Sequence, residues 1–163
     1  MSAKIVALYH DPWKGLADAL VDWRRPWLVW RKAQWFKANP RTASYMQERL
    51  AELWPEARFI DTGAEANWDR AVDGAAQVVL LYPDAIGIGF NRVERVVRAR
   101  ANRAVLQVVN GRRRVFLLDD ATMRSLRLRR FFEETMVLEA LMGIALLLAT
   151  PVLLAIDLVR GHR

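Results

Sequence analysis

Hydrophobic and polar positions along this chain repeat with two periods, and one stretch has no period at all. KIVALY, Lys4 to Tyr9, is short, apolar and β-branched, which predicts a strand buried on both faces. Thr42 to Leu53 sets Tyr45, Met46, Leu50 and Leu53 along one stripe and predicts a helix that ends at Pro55. RFIDT, Arg58 to Thr62, predicts a second strand closed by Gly63, and Ala64 to Gly74 a helix with Trp68 and Val72 on one side. QVVLLY, Gln77 to Tyr82, predicts the most completely buried strand. The loop PDAIGIGF, Pro83 to Phe90, leads into a helix from Asn91 to near Ala101. Ala104 to Val109 and Arg113 to Leu118 flank Asn110-Gly111, a pair that favours the type I′ turn of a β-hairpin. Asp119-Asp120 then caps a last helix that starts near Ala121 and runs through RSLRLRRFF. Such alternation predicts an α/β domain, a small Rossmann- or flavodoxin-like sheet, mostly parallel with an antiparallel edge hairpin. The predicted organisation is a cytosolic domain over 1–120, a basic juxtamembrane helix over 121–135, a membrane helix over 136–159 and a basic tail over 160–163.

The aperiodic stretch is MVLEALMGIALLLATPVLLAIDLV, Met136 to Val159, without a charge between Ala140 and Ile156. As a helix it would reach roughly 36 Å, enough to cross a hydrocarbon core about 30 Å thick. A helix apolar on every side needs either lipid or a large protein around it, and this chain is too short to supply the latter. Thr150-Pro151 interrupts the stretch, and proline predicts a kink or break there. Arg124, Arg127, Arg129 and Arg130 precede it, and Arg160 and Arg163 follow it. Positive residues favour the cytoplasmic side, so a straight span leaves one cluster on the disfavoured side, whereas a re-entrant helix satisfies both. Both topologies stay open at this level.

Charge extends the membrane reading upstream. The net charge is +7, and between Asn91 and Arg130 arginine far outnumbers Glu94, Asp119 and Asp120. Beside a membrane segment, this predicts contact with anionic head groups rather than nucleic acid, for which there is no zinc-finger, RRM or helix-turn-helix signature. A second unusual stretch, Trp13 to Lys37, interleaves Trp13, Trp23, Trp27, Trp30 and Trp35 with Arg24, Arg25, Arg31, Lys32 and Lys37. Trp27, Trp30, Arg31 and Trp35 suit a membrane-interface helix. The same residues also suit a core or a subunit interface. Cysteine is absent, which removes disulfide, thiol and Cys-based metal chemistry. The opening MSAKIVALYHDP lacks the long apolar run of a signal peptide. The expectation is a domain on the cytoplasmic face of the inner membrane of a bacterium.

Candidate chemistry is sparse. His10 and Asp11 follow the first predicted strand, where doubly wound sheets place ligands. The alternative for Asp11 is a helix N-cap ahead of Pro12. Asp84, Gly87, Gly89 and Asn91 lie where a strand passes through a glycine-containing loop into a helix, a geometry that can cradle an anion. Here the alternative is a turn that uses glycine for positive φ, with Asn91 as the cap. G-x-S-x-G and the P-loop lysine motif are both missing, and His10 and His162 stand at opposite ends of the chain. No catalytic residue, cofactor or metal site is expected.

Arg127 to Gly161, RLRRFFEETMVLEALMGIALLLATPVLLAIDLVRG, resembles the membrane helix of bacterial polyprenyl-phosphate glycosyl-1-phosphate transferases. Arg127, Arg129, Arg130 and Phe131 match the basic, aromatic lead-in of that family, and Thr150-Pro151 stands where its re-entrant helix carries a Ser-Pro pair. The sequence ends at Arg163, where the family's catalytic domain with its Asp-Glu motif would begin. The resemblance therefore implies a truncated relative or a partner protein in lipid-linked glycan assembly, with an integral-membrane partner and no transferase centre of its own. The other expectation is an enzyme or binding protein for a nucleotide sugar or another phosphorylated ligand. Ligand, partner and oligomeric state stay open.

Overall fold

A computed structural model describes residues 4–11, 40–135 and 137–161. The element order is β1 (Ile5–Tyr9), α1 (Ala43–Leu53), β2 (Arg58–Asp61), α2 (Trp68–Ala71), β3 (Gln77–Tyr82), α3 (Asn91–Arg100), β4 (Val105–Asn110), β5 (Val115–Leu117), α4 (Asp120–Thr135) and α5 (Val137–Gly161). The segment 13–37, with Trp27, Trp30, Arg31 and Trp35, lies outside the described residues.

The strands form one five-stranded sheet in the order β2-β1-β3-β4-β5. β2, β1, β3 and β4 run parallel, and β5 pairs antiparallel with β4 at the edge. The period of two divides each strand between two cores. Val6, Leu8, Val78, Leu80 and Tyr82 face one side, where Val93 and Val97 of α3 and Met123 and Leu126 of α4 cover them. Ala7, Tyr9, Val79 and Leu81 face the other, against Met46 and Leu50 of α1. Both faces of β1 and β3 are therefore dry, which is why their sequences read as continuous apolar runs rather than alternating ones.

Topology follows from how the chain travels. From β1 to β2 it moves towards one edge, and α1 lies on one face; from β2 through β3 to β4 it moves the other way, with α2 and α3 on the opposite face. Reversing direction and face together lets every crossover keep the same hand. The reversal falls between β1 and β3, and a crevice at the carboxyl ends of those two strands is where open α/β sheets place ligands.

Three local expectations change. The helix expected over 64–74 contracts to four residues, because Asp61 forms a turn instead: its side chain accepts the Gly63 N–H and its carbonyl accepts those of Ala64 and Glu65. The hairpin forms, but Asn110 stays in β4 and the loop spans 111–114. The Asn110 Oδ1 accepts the N–H of Arg112 and of Arg114, and Arg113 takes the positive φ, 62°. Gly111 serves a different need: a Cβ there would stand 2.3 Å from the Pro83 carbonyl oxygen. Third, the domain does not stop at residue 120. The chain divides into two compact units at Arg130 and Phe131, and Met123, Leu126 and Arg130 of α4 are buried in the first.

In the second unit α5 is one uninterrupted helix of 25 residues with Pro151 inside it. None of the apolar segment Ala140–Gly161 is buried, and it is long and apolar enough to cross a membrane. Pro151 lacks the N–H that would reach the carbonyl of Leu147. The Thr150 hydroxyl donates to Leu146, at 2.7 Å, rather than to that freed carbonyl. The helix nonetheless continues through Pro151 to Gly161.

Candidate functional site

The carboxyl edge of the sheet gathers the expected polar residues. At the end of β1 the Thr62 N–H donates to the Tyr9 carbonyl, at 2.8 Å, which holds the β2 exit beside β1. Nδ1 of His10 then lies 3.1 Å from the Thr62 hydroxyl, and the imidazole meets the ring of Phe90 edge-on at 6.1 Å. Burial, followed by the charges of Asp11 and Asp61, pushes the Tyr9 hydroxyl well above its usual value. The continuation of Asp11 into Pro12 lies outside the described residues, so its capping role does too.

At the end of β3 the loop closes on itself. Asp84 is buried, and its Oδ1 accepts the N–H of Ile86 at 2.6 Å and of Gly87 at 2.5 Å. Its Oδ2 accepts the N–H of Ile88, at 2.9 Å. These converging N–H groups are the donors that an anionic ligand would use, and the chain's own carboxylate occupies them. Burial pushes the Asp84 carboxyl up from its ordinary value, and the three N–H donors and Arg130 pull part of the way back. Gly87 and Gly89 both have positive φ, 72° and 88°. Gly87 also packs flat on Tyr82, since a Cβ there would approach the ring to 2.6 Å. Positive φ and close packing on Tyr82 both favour glycine there, and its N–H is taken by Asp84.

Asn91 is the first residue of α3, not its cap; the cap position is Phe90. The Asn91 side chain instead accepts from Arg130 Nη1, at 2.8 Å. Arg130 corrects the expectation of a head-group contact most sharply. Its guanidinium is buried, with Nε donating to the Ile86 carbonyl at 2.7 Å and Nη2 to Glu94 Oε1 at 2.5 Å. The Tyr82 hydroxyl donates to the same Glu94 oxygen, and the guanidinium lies 5.3 Å from the Tyr82 ring centre. Burial alone would lower the Arg130 pKa, but the hydrogen bond to Glu94, the Tyr82 contact and the Glu94 charge outweigh it and raise it. For Tyr82, burial and the Glu94 charge raise the hydroxyl far above its ordinary value. Two opposite charges removed from water at this spacing hold one another in place, and neither can be lost alone without a large penalty.

The sequence contains a signal for the burial of each residue, though not for their pairing. Arg130 continues the buried Met123–Leu126 stripe of α4 at helical spacing, and Glu94 sits between Val93 and Val97 in α3. Arg124, Arg127 and Arg129 lie off that stripe and are exposed, as contact with anionic head groups requires. Arg130 thus leaves the basic lead-in and joins the domain interior.

Neighbouring loops complete the edge. The Arg41 N–H donates to the Pro83 carbonyl at 2.7 Å, Asn110 Nδ2 to Ala85 at 3.0 Å, and the Gly111 N–H to Asp84 at 3.0 Å. Among the described residues no group of three or more acidic or histidine side chains could hold a metal ion. No protein-family model matches this chain, and no curated protein or solved structure does so either.

Proposed function

We propose that this chain is a membrane-associated, non-catalytic subunit, an α/β domain attached to a bilayer by α5 that docks an integral-membrane partner. One observation carries the reading: at the switch point of the sheet, the donors that would bind a phosphorylated ligand are filled by Asp84, and Arg130, Asn91 and Glu94 are bound to one another. The exposed Arg124, Arg127 and Arg129 support attachment to the cytoplasmic face, of the inner membrane if the source is bacterial. The resemblance of Arg127 to Gly161 supports envelope polysaccharide or lipid-linked glycan assembly as the setting. The strand order, which flavodoxin-like sheets also use, supports the finer fold reading. The second reading is a binding protein or glycosyltransferase-like enzyme for a nucleotide sugar or other phosphorylated ligand. The His10–Thr62 pair at the same edge supports it.

Thermal unfolding of the full chain in mild detergent, with nucleotides, nucleotide sugars and inorganic phosphate added, separates the two. The subunit reading expects no shift for the wild type. It also expects Asp84→Ala, which empties the three N–H groups, to melt lower and to be stabilised by phosphate. Stabilisation of the wild type by a nucleotide sugar, lost in His10→Ala, would overturn it. A tag after Arg163 labelled only from outside intact cells would show a span and exclude re-entry.

A further inference from the structure

We infer that the β5 edge pairs with β5 of a second copy of this chain, antiparallel about a two-fold axis at Phe116, to join two sheets into one. This surface goes beyond the subunit reading and does not depend on it.

The edge is open. β5 is hydrogen-bonded to β4 through Leu118 N–H to the Leu106 carbonyl and Asn110 N–H to the Arg114 carbonyl. Alternation along an antiparallel ladder then turns the N–H and C=O of Val115 and Leu117 away from β4. Among the described residues nothing takes them. Natural edges are blunted with charge, proline or a bulge, and β5 itself, Val115-Phe116-Leu117, has none of these. Val115 and Leu117 are 43 % and 56 % exposed, and Val105 on the adjoining strand is 50 % exposed. Their ladder partners, Val109 and Gln107, place Val115 and Leu117 on one face with Val105.

Charge selects the occupant. The sequence around Phe116 is Arg112-Arg113-Arg114-Val115-Phe116-Leu117-Leu118-Asp119-Asp120, basic before the strand and acidic after it, and all five of these charged residues are exposed. A two-fold interface must be self-complementary, each residue meeting its counterpart twice. Centred on Phe116, antiparallel pairing sets Val115 against Leu117 of the second copy, the register in which the free N–H and C=O groups of both strands meet. Beyond the three-residue strand the ladder ends, because 111–114 form the turn and Asp120 begins α4, but antiparallel pairing still brings the basic turn of each copy towards the acidic exit, Asp119 and Asp120, of the other, where Asp120 also pairs with Arg98 of its own copy. Opposite charges brought together at the two ends of the paired strands favour the pairing, and like charges oppose it.

The test uses the full chain in mild detergent at low salt, with self-association followed by sedimentation and by energy transfer between labelled copies. The wild type should dimerise, and Arg112→Glu and Asp120→Lys should each weaken the dimer tenfold or more, because each brings like charges together at both ends of the paired strands; Asp120→Lys also breaks the Arg98 ion pair within its own copy, and its melting curve reports that separately. Mixing the two variants should restore association. In the mixed pair the two reversed charges come together at one end of the paired strands, and the unaltered Asp120 of one copy and Arg112 of the other come together at the opposite end. Asp119 is left in place because it caps α4. As the chain has no cysteine, Phe116→Cys should give a disulfide-linked dimer under mild oxidation. Val105→Cys, one strand further in on each copy, should not. Melting curves establish that each variant is folded. A wild type that stays monomeric would overturn the inference. So would a dimer that survives both charge reversals, which would indicate association through α5 or another face.

Discussion

Replacing Arg130 by Met tests whether the buried ion pair governs how α4 is held. Arg130 and Glu94 side chains are 1 % and 0 % exposed, so methionine can occupy much of the same volume. The substitution removes three donors, to Ile86, Asn91 and Glu94, and leaves the Glu94 carboxylate with the Tyr82 hydroxyl as its remaining hydrogen-bond donor. Glu94 Oε2 already lacks a partner among the described residues, so little else can absorb the charge. Breaking a buried pair from one side costs about 3–5 kcal/mol. For a domain of this size that lowers Tm by roughly 10–20 °C. Glu94→Gln strands the guanidinium and should cost a similar amount. The double variant leaves no uncompensated charge and should lose only about 1–3 kcal/mol, the cost of hydrogen bonds no longer made. Urea unfolding of the full chain in mild detergent, read by Trp fluorescence, gives the four corners of the cycle. Losses below 1 kcal/mol for the single variants, or a double variant equal to their sum within about 0.5 kcal/mol, would refute the argument.

Two further outcomes are expected. Gly87→Ala combines an unfavourable positive φ with a Cβ 2.6 Å from the Tyr82 ring. It should destabilise by about 1–3 kcal/mol in the same unfolding assay, without any ligand present. The Asp119 carboxylate accepts the Thr122 N–H, which holds it below the usual carboxylate range. A group whose folded pKa is depressed stabilises above its unfolded value, about 3.9, and the contribution is lost as pH falls through the folded value. Amide chemical shifts of Thr122 and Met123 should therefore move in that acid window, and Asp119→Asn, which can still cap, should remove the step.

The glycine loop shows why the site was harder to read than the fold. The residues singled out there, Asp84, Gly87, Gly89 and Asn91, do converge with His10 at one edge of the sheet. Strand–loop–helix order is a local property, and the loop does lie between β3 and α3. Whether converging N–H groups face solvent or a carboxylate depends on where Asp84 turns, and both outcomes use the same residues. Arg130 illustrates the same ambiguity at longer range. A basic residue in a basic run reads as solvated until its helix is docked, because the partner that neutralises it, Glu94, is 36 positions away in sequence.

Sequence alone determined the strands and their burial. A strand covered on both faces must be apolar throughout, and β1 and β3 are. It also determined the long apolar helix, because an unbroken run of such residues has no other stable setting than lipid or a large core. Tertiary structure decided the strand order, the extent of the domain to Arg130, the occupation of the loop by Asp84, and the pairing of Arg130 with Glu94 across Tyr82. The physical reason is one of range. Periodicity reports what each residue faces, whereas the identity of the facing group depends on elements distant in the chain, brought together only when α3 and α4 pack on the same side of the sheet.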